Sequence, residues 1–286
     1  MRSPAVLVLL LVVACGIGPS AQTTTSTSIS TTTNSPVTTT VPDPEVGSCS
    51  IDPAFVDRGQ VAGLDQAGSD TNSLGLISWQ VEGGCERFGI DFETAEGAPA
   101  TTPPAIAVEF LEARNVLRVR ADVDETGVTD QLVETPLVDR LYVVRALDGG
   151  MFVDFHLARA AQARVAISSS PASLTIELQA GADPLGPSPS IADRVVVTTP
   201  TEGEVTGTIV EVGGYARTFE ANVLIIATAA GEVVAETNTT AAEWTETWGQ
   251  FRASIRLPIG ETSLFVGEES PEDGRLVGVT LDLLVR

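Results

Sequence analysis

The sequence predicts an all-β protein, with two β-sandwich domains behind a leader and a polar linker. Two observations carry this reading. Apolar residues recur at every second position in many short runs, the pattern of antiparallel strands with one face buried. Glycine and proline clusters separate those runs, and no long segment carries a helical period.

The N-terminus addresses the chain. Residues 1–14 read as a signal peptide: Arg2 precedes an apolar run from Ala5 that is too short for a spanning helix, which takes ~20 residues. Val12-Val13-Ala14-Cys15 closes the run. A cysteine just after a small residue resembles the bacterial lipobox, whose cysteine receives a diacylglycerol and becomes the new N-terminus. The resemblance implies a lipidated Cys15 and attachment to the extracytoplasmic face of the cell membrane. With Cys15 unmodified, the same signal would secrete the chain.

Residues 15–48 form a linker, dominated by Thr23-Thr24-Thr25-Ser26-Thr27-Ser28 and Thr38-Thr39-Thr40. It has almost nothing apolar to bury and cannot offset its ordering entropy. Its composition also fits an O-glycosylated stalk.

Composition narrows the partners. The chain carries 38 acidic and 16 basic residues, a net charge of -22. All the basic residues are arginine. Such a balance argues against nucleic acid, which needs clustered cations, and against an anionic membrane surface without a covalent anchor. With Cys15 assigned to lipid, Cys49 and Cys85 remain as an even pair in an oxidising compartment. A disulfide between them is expected, the alternative being two free thiols. It would stabilise by ~4 kcal/mol in the chain-entropy model. Two isolated cysteines and one histidine lack zinc-ligand spacing, so no metal and no cofactor is expected.

Residues 49–182 read as the first sandwich, of roughly eight strands. Ile106, Val108 and Phe110 share a face. Leu117 and Val119 alternate with Arg118 and Arg120, and Leu141 and Val143 continue the pattern. Met151, Val153, Phe155 and Leu157 alternate with Phe152, Asp154 and His156. Leu174, Ile176 and Leu178 follow. Leu147-Asp148-Gly149-Gly150 and Ser168 to Pro171 read as turns, and Val128 to Val133 as a short helical turn. The rhythm from Leu141 to Leu178 resembles the AMIN-like domain, a β-sandwich family of exported proteins and cell-wall amidases. That resemblance implies attachment to the envelope, not catalysis.

Residues 183–192 read as a second linker, punctuated by Pro184, Gly186, Pro187 and Pro189, with few contacts expected across it. Residues 193–286 then show seven short runs, from Val195–Val197 to Val277–Leu283, which fit an immunoglobulin-like sandwich. Gly214-Tyr215-Ala216-Arg217-Thr218-Phe219-Glu220-Ala221-Asn222-Val223, Gly231, Gly249-Gln250-Phe251 and Glu268 to Gly274 resemble the immunoglobulin-like domain of bacterial spore-germination proteins. One departure is Gly267, where that family usually shows an aromatic.

Several constellations are candidates for function. Arg217, Phe219 and Glu220 form a recognition patch or, on the favoured reading, a structural tie with Phe219 plugging the sandwich. Trp244 and Trp248, four apart, read as core packing, with a sugar-stacking platform as the alternative. Glu268, Glu269, Glu272 and Asp273 make an acidic stretch that fits hairpin chemistry better than calcium, which needs converging ligands. His156, the only histidine, has no nucleophile elbow to serve and reads as a strand residue. The chain is therefore expected to be no enzyme. It reads as an envelope accessory module for peptidoglycan or another exported protein, against an extracytoplasmic hydrolase or a structural spacer.

Overall fold

The computed structural model describes residues 49–112, 114–181 and 186–286. The leader, Cys15 and the linker up to residue 48 lie outside the described residues. Among the described residues no helix is long and apolar enough to cross a membrane.

The first eleven strands are β1 (Gln60–Leu64), β2 (Ser73–Glu82), β3 (Cys85–Glu93), β4 (Ile106–Phe110), β5 (Val116–Ala121) and β6 (Glu125–Thr126), then β7 (Asp130–Leu132), β8 (Val138–Arg145), β9 (Met151–Leu157), β10 (Ala161–Ser168) and β11 (Ser173–Ala180). One sheet runs β10-β11-β3-β2-β6, and the other begins β1-β4-β5-β9-β8, with β7 on β8. Phe88, Ile90 and Phe92 of β3 and Leu174, Ile176 and Leu178 of β11 are buried in one core with Val119, Leu141, Val153 and Phe155 of the other sheet. Alternation thus sends the expected residues inward. The 147–150 and 168–171 turns close the β8–β9 and β10–β11 hairpins as expected. The helical turn expected over Val128 to Val133 is instead strand β7, because Asp130–Leu132 pair antiparallel with Arg140–Tyr142.

The disulfide joins Cys49 to Cys85, with 5.5 Å between their Cα atoms. Beside it, the amides of Ser50 and Ile51 donate to the two oxygens of Glu177 at 3.0 and 3.1 Å. Arg87 and Arg164 also pair with that carboxylate, at 2.5 and 2.8 Å. Burial alone would raise the Glu177 pKa, but these donors together lower it to about 2. A buried carboxylate with four partners holds the start of the domain to β11.

The second sandwich has β12 (Ser190–Ala192), β13 (Val195–Thr199), β14 (Val205–Thr206), β15 (Ile209–Ala216), β16 (Asn222–Ala229), β17 (Glu232–Thr240), β18 (Trp248–Arg256), β19 (Gly260–Glu269) and β20 (Leu276–Val285). Its sheets run β18-β15-β13-β12 and β14-β20-β19-β16-β17. Val195, Val212, Val223, Ile225, Phe251, Leu264, Val266 and Leu281 belong to its core. The linker expected over 183–192 thus contains a short strand, β12. At Gly267 an added Cβ would stand 2.6 Å from Cζ of Phe265. The Phe265 ring occupies the space over this glycine, two residues along the same face.

The expectation that few contacts cross the boundary is corrected. Strand β18 pairs in parallel with β8, Trp248 opposite Val144 and Gly249 opposite Arg145, so one ten-stranded sheet runs through both sandwiches. A third buried cluster joins Tyr142, Val144, Ala146 and Phe152 of the first to Val196, Tyr215 and Trp248 of the second. The Thr247 hydroxyl donates to the Val143 carbonyl at 2.6 Å, and the Asn115 amide to the Pro187 carbonyl at 3.3 Å. Every residue of β9 is buried, because the second sandwich covers the face carrying Phe152, Asp154 and His156.

Candidate functional site

Two loops of the second sandwich meet at an aromatic pair, Phe219 exposed and Trp244 half-buried against the core. The first follows β15 and contains a single 3₁₀ turn, Phe219–Ala221. Thr218 is fully buried at its start. Glu220 and Ala221 both have positive φ, at 53° and 59°. Left-handed backbone at two successive residues with a Cβ is strained by ~1–2 kcal/mol each and persists only where surroundings enforce it. Here the Phe219 amide donates to Oε2 of Glu268 at 2.6 Å. The Ala221 carbonyl accepts from the Ala241 amide at 2.9 Å.

Glu268 is placed by strand rhythm. Thr262, Leu264, Val266 and Glu268 are the inward residues of β19, and Glu268 ends the series, 7 % exposed. It bonds the Phe219 amide and lies 3.7 Å from Arg194. The acidic stretch read around residues 268–273 is therefore divided. Glu268 belongs to the packed site, while Asp273 turns back to Arg275 at 2.5 Å.

The second loop, residues 241–247, is built around Glu243. Its Oε1 accepts from the amides of Trp244, Thr245 and Glu246 and from the Thr245 hydroxyl, at 2.6 to 3.3 Å. Burial would raise this carboxyl, but the Thr245 hydroxyl and the three amides lower it to about 2. Gly249 makes the arrangement possible. A Cβ there would come within 2.2 Å of the Glu243 amide nitrogen and 2.3 Å of its carbonyl oxygen. Only a glycine lets this loop lie down on β18.

Arg217 ties the loops together, its Nη2 donating to the Thr245 carbonyl at 2.9 Å. The rings of Phe219 and Trp244 then meet edge to face, centroids 5.7 Å apart at 71°. Phe219 is 46 % exposed. The reading of Phe219 as the plug of the sandwich is thus corrected: Thr218 and Ala221 turn inward at this crossing, and the ring between them turns out. Glu220 is exposed beside it. The arrangement is an aromatic surface on tied-down loops with a guanidinium alongside, a geometry suited to binding.

Trp248 does not join Trp244. It is buried at the junction, 4.9 Å from Tyr142 in an edge-to-face contact, and its Nε1 donates to Asp130 at 3.2 Å. This corrects Trp248 as a binding candidate and follows from its place at the first residue of β18. Among the described residues, the one acid–cysteine group compact enough for an ion is Cys49, Cys85 and Glu177. Its sulfurs are bonded to each other and its carboxylate to arginines.

His156 is also in the junction. It is 5 % exposed and hydrogen-bonded to the Tyr215 hydroxyl. Burial, with Arg140 and Arg118 adding to it against Asp154, lowers its pKa to about 4. Asp154 itself is held bidentate by Arg118, both bonds 2.7 Å. Sequence reasoning passed over Glu243, read Glu268 only as part of an acidic hairpin stretch and His156 only as a strand residue, and missed the network that joins His156, Tyr215, Asp154 and Arg118. Glu268 was signalled by its even spacing from Leu264 and Val266; Asp154 and His156 carried no sign of a covering domain.

No curated protein and no solved structure is found to match the chain. Residues 194–275, which hold the aromatic surface and its supports, match the model of the immunoglobulin-like domain of bacterial spore germination.

Proposed function

We propose that the chain is a non-catalytic, lipid-anchored envelope protein that uses the Phe219–Trp244 surface to bind cell-wall glycan. The observation that carries the reading is the exposed Phe219 ring set edge to face against the half-buried Trp244, on loops fixed by Glu243 and Glu268. Fixed aromatic rings bind at low entropic cost, because little freedom is lost on contact. Sugar rings offer apolar faces that stack on such a surface, and neighbouring Arg217 and Glu220 offer polar contacts to hydroxyls. An immunoglobulin-like domain of the germination type fits an accessory or binding role. The lipobox-like Val12 to Cys15 supports membrane attachment, and the first sandwich is read as AMIN-like. A protein partner exported to the same compartment is the second ligand class for this surface.

The test is co-sedimentation with purified cell walls. The wild-type chain is expected to pellet, and Phe219→Ala/Trp244→Ala to stay in solution while still folded by circular dichroism. Equal pelleting of the two would overturn the glycan reading. The anchor is tested separately: Cys15→Ala should leave the membrane fraction, and its retention after a salt wash would count against lipidation.

A further inference from the structure

A cleft of about 260 Å³ lies between the two sandwiches. Its walls come from the loop after β4, from β13 and β15, and from β18. Arg114, Arg118 and Arg252 line it, with Glu112 as the sole carboxylate among the lining residues. That is three of sixteen arginines at one place in a chain of net charge -22. Arg118 and Arg114 carry carboxylate partners, Asp154 and Glu204, so the pull on an anion comes from directed donors rather than from a net positive field.

The hydrogen bonds of the lining leave donors over. Arg118 gives Nε and Nη2 to Asp154 and stacks 3.8 Å over the Phe152 ring, which fixes its plane. Its Nη1 has no hydrogen bond among the described residues. The Arg252 guanidinium makes neither hydrogen bond nor ion pair among them. Gln250 accepts from the Leu147 amide through Oε1 at 3.1 Å, leaving its Nε2 donors unused. Arg114, by contrast, is committed: it donates to the Thr198 carbonyl and lies 3.9 Å from Glu204. The lining thus holds two guanidiniums and an amide with donors to spare, opposite one carboxylate, Glu112, and the hydroxyls of Thr198 and Thr199. A ligand that satisfies it must bring acceptors.

We propose that this cleft binds an anionic oxygen group, a carboxylate or a phosphate, on a ligand of about amino-acid size. Its volume is at the lower edge of ligand pockets, which run from ~300 Å³ upward. Arg118 is preorganised by Asp154 and Phe152, so part of the site pays no ordering entropy. Arg252, near enough to Asp148 to help lower its pKa but not hydrogen-bonded to it, supplies an open fork that carboxylate and phosphate match bidentately. The site is independent of the aromatic surface and asks nothing of it.

The test is titration calorimetry of the full chain at low salt, with N-acetylglutamate and inorganic phosphate as probes. Saturable binding of at least one probe at one site is expected, and the probe preferred identifies the group. Arg252→Ala should weaken it about tenfold or more, the range for a charge-assisted hydrogen bond. Arg252 is exposed on its strand, so this variant keeps the fold. Glu112→Gln should tighten binding by removing the opposing charge. Failure of both probes at millimolar concentration, or equal binding by wild type and Arg252→Ala, would overturn the proposal.

Discussion

Acid should loosen the junction through His156, and His156→Gln should remove that sensitivity. The imidazole is 5 % exposed and bonded to the Tyr215 hydroxyl. Burial lowers its pKa from 6.5 to about 4, so the native state holds it neutral where the unfolded chain would protonate it. The unfolded state therefore binds more protons between those values, and stability falls as pH falls. The contribution is whole above pH 6.5, declines through the window to about 4, and is spent below it. At ~1.4 kcal/mol per unit, the loss is about 3 kcal/mol, a large part of the ~5–15 kcal/mol holding a typical protein together. Glu177 and Glu243, both lowered to about 2, act in a different range. Their stability is present above the ordinary carboxylate pKa of 4.5 and lost toward 2. Urea denaturation at a series of pH values reads the slope. Glutamine keeps a partner for Tyr215 and does not titrate, so its curve should be nearly flat from pH 6.5 down to the carboxylate range near 4.5. Parallel curves for wild type and variant would refute the argument.

Three further outcomes follow from the packing. Phe219→Ala should cost about 1 kcal/mol by thermal denaturation, the worth of an edge-to-face contact. A loss of ~3–5 kcal/mol would mean the ring is buried after all. Trp248→Ala should cost ~3–5 kcal/mol and split one calorimetric transition into two, because the sandwiches lose their shared cluster; a single unshifted transition would contradict the coupling. Mass spectrometry of non-reduced peptides should find Cys49 linked to Cys85, and Cys49→Ala should cost ~2–5 kcal/mol; two alkylatable thiols in unreduced protein would count against the link.

What the sequence made legible was whatever depends on period. Alternation in Met151–Leu157 assigned Val153 and Phe155 to a core and Phe152, Asp154 and His156 to the other face, and both assignments hold. It could not say that a second domain covers that other face. Tyr142-Val143-Val144 and Val195-Val196-Val197 carried the hint, since runs apolar at consecutive positions fit strands buried on both sides. Val143, Val195 and Val197 serve their own cores, while Tyr142, Val144 and Val196 meet at the junction. Phe219 was misjudged for a related reason. Its neighbours Thr218 and Ala221 are small, yet they fill the crossing, and the positive φ of Glu220 and Ala221 has no signature in residue type. Strand parity breaks at such a turn.

The shared cluster also sets an order of events during folding. The first sandwich lies N-terminal to the second, and domains generally fold as units, N-terminal first. Here the first sandwich can complete its own core early, but Tyr142, Val144 and Phe152 stay wet until Val196, Tyr215 and Trp248 exist. In that interval Arg118 and Asp154 already satisfy each other, while the apolar part of the face stands open to any sticky neighbour. The half-made chain is therefore its own most vulnerable species. A truncation ending near residue 181 should be recovered mainly as aggregate, however sound its internal packing.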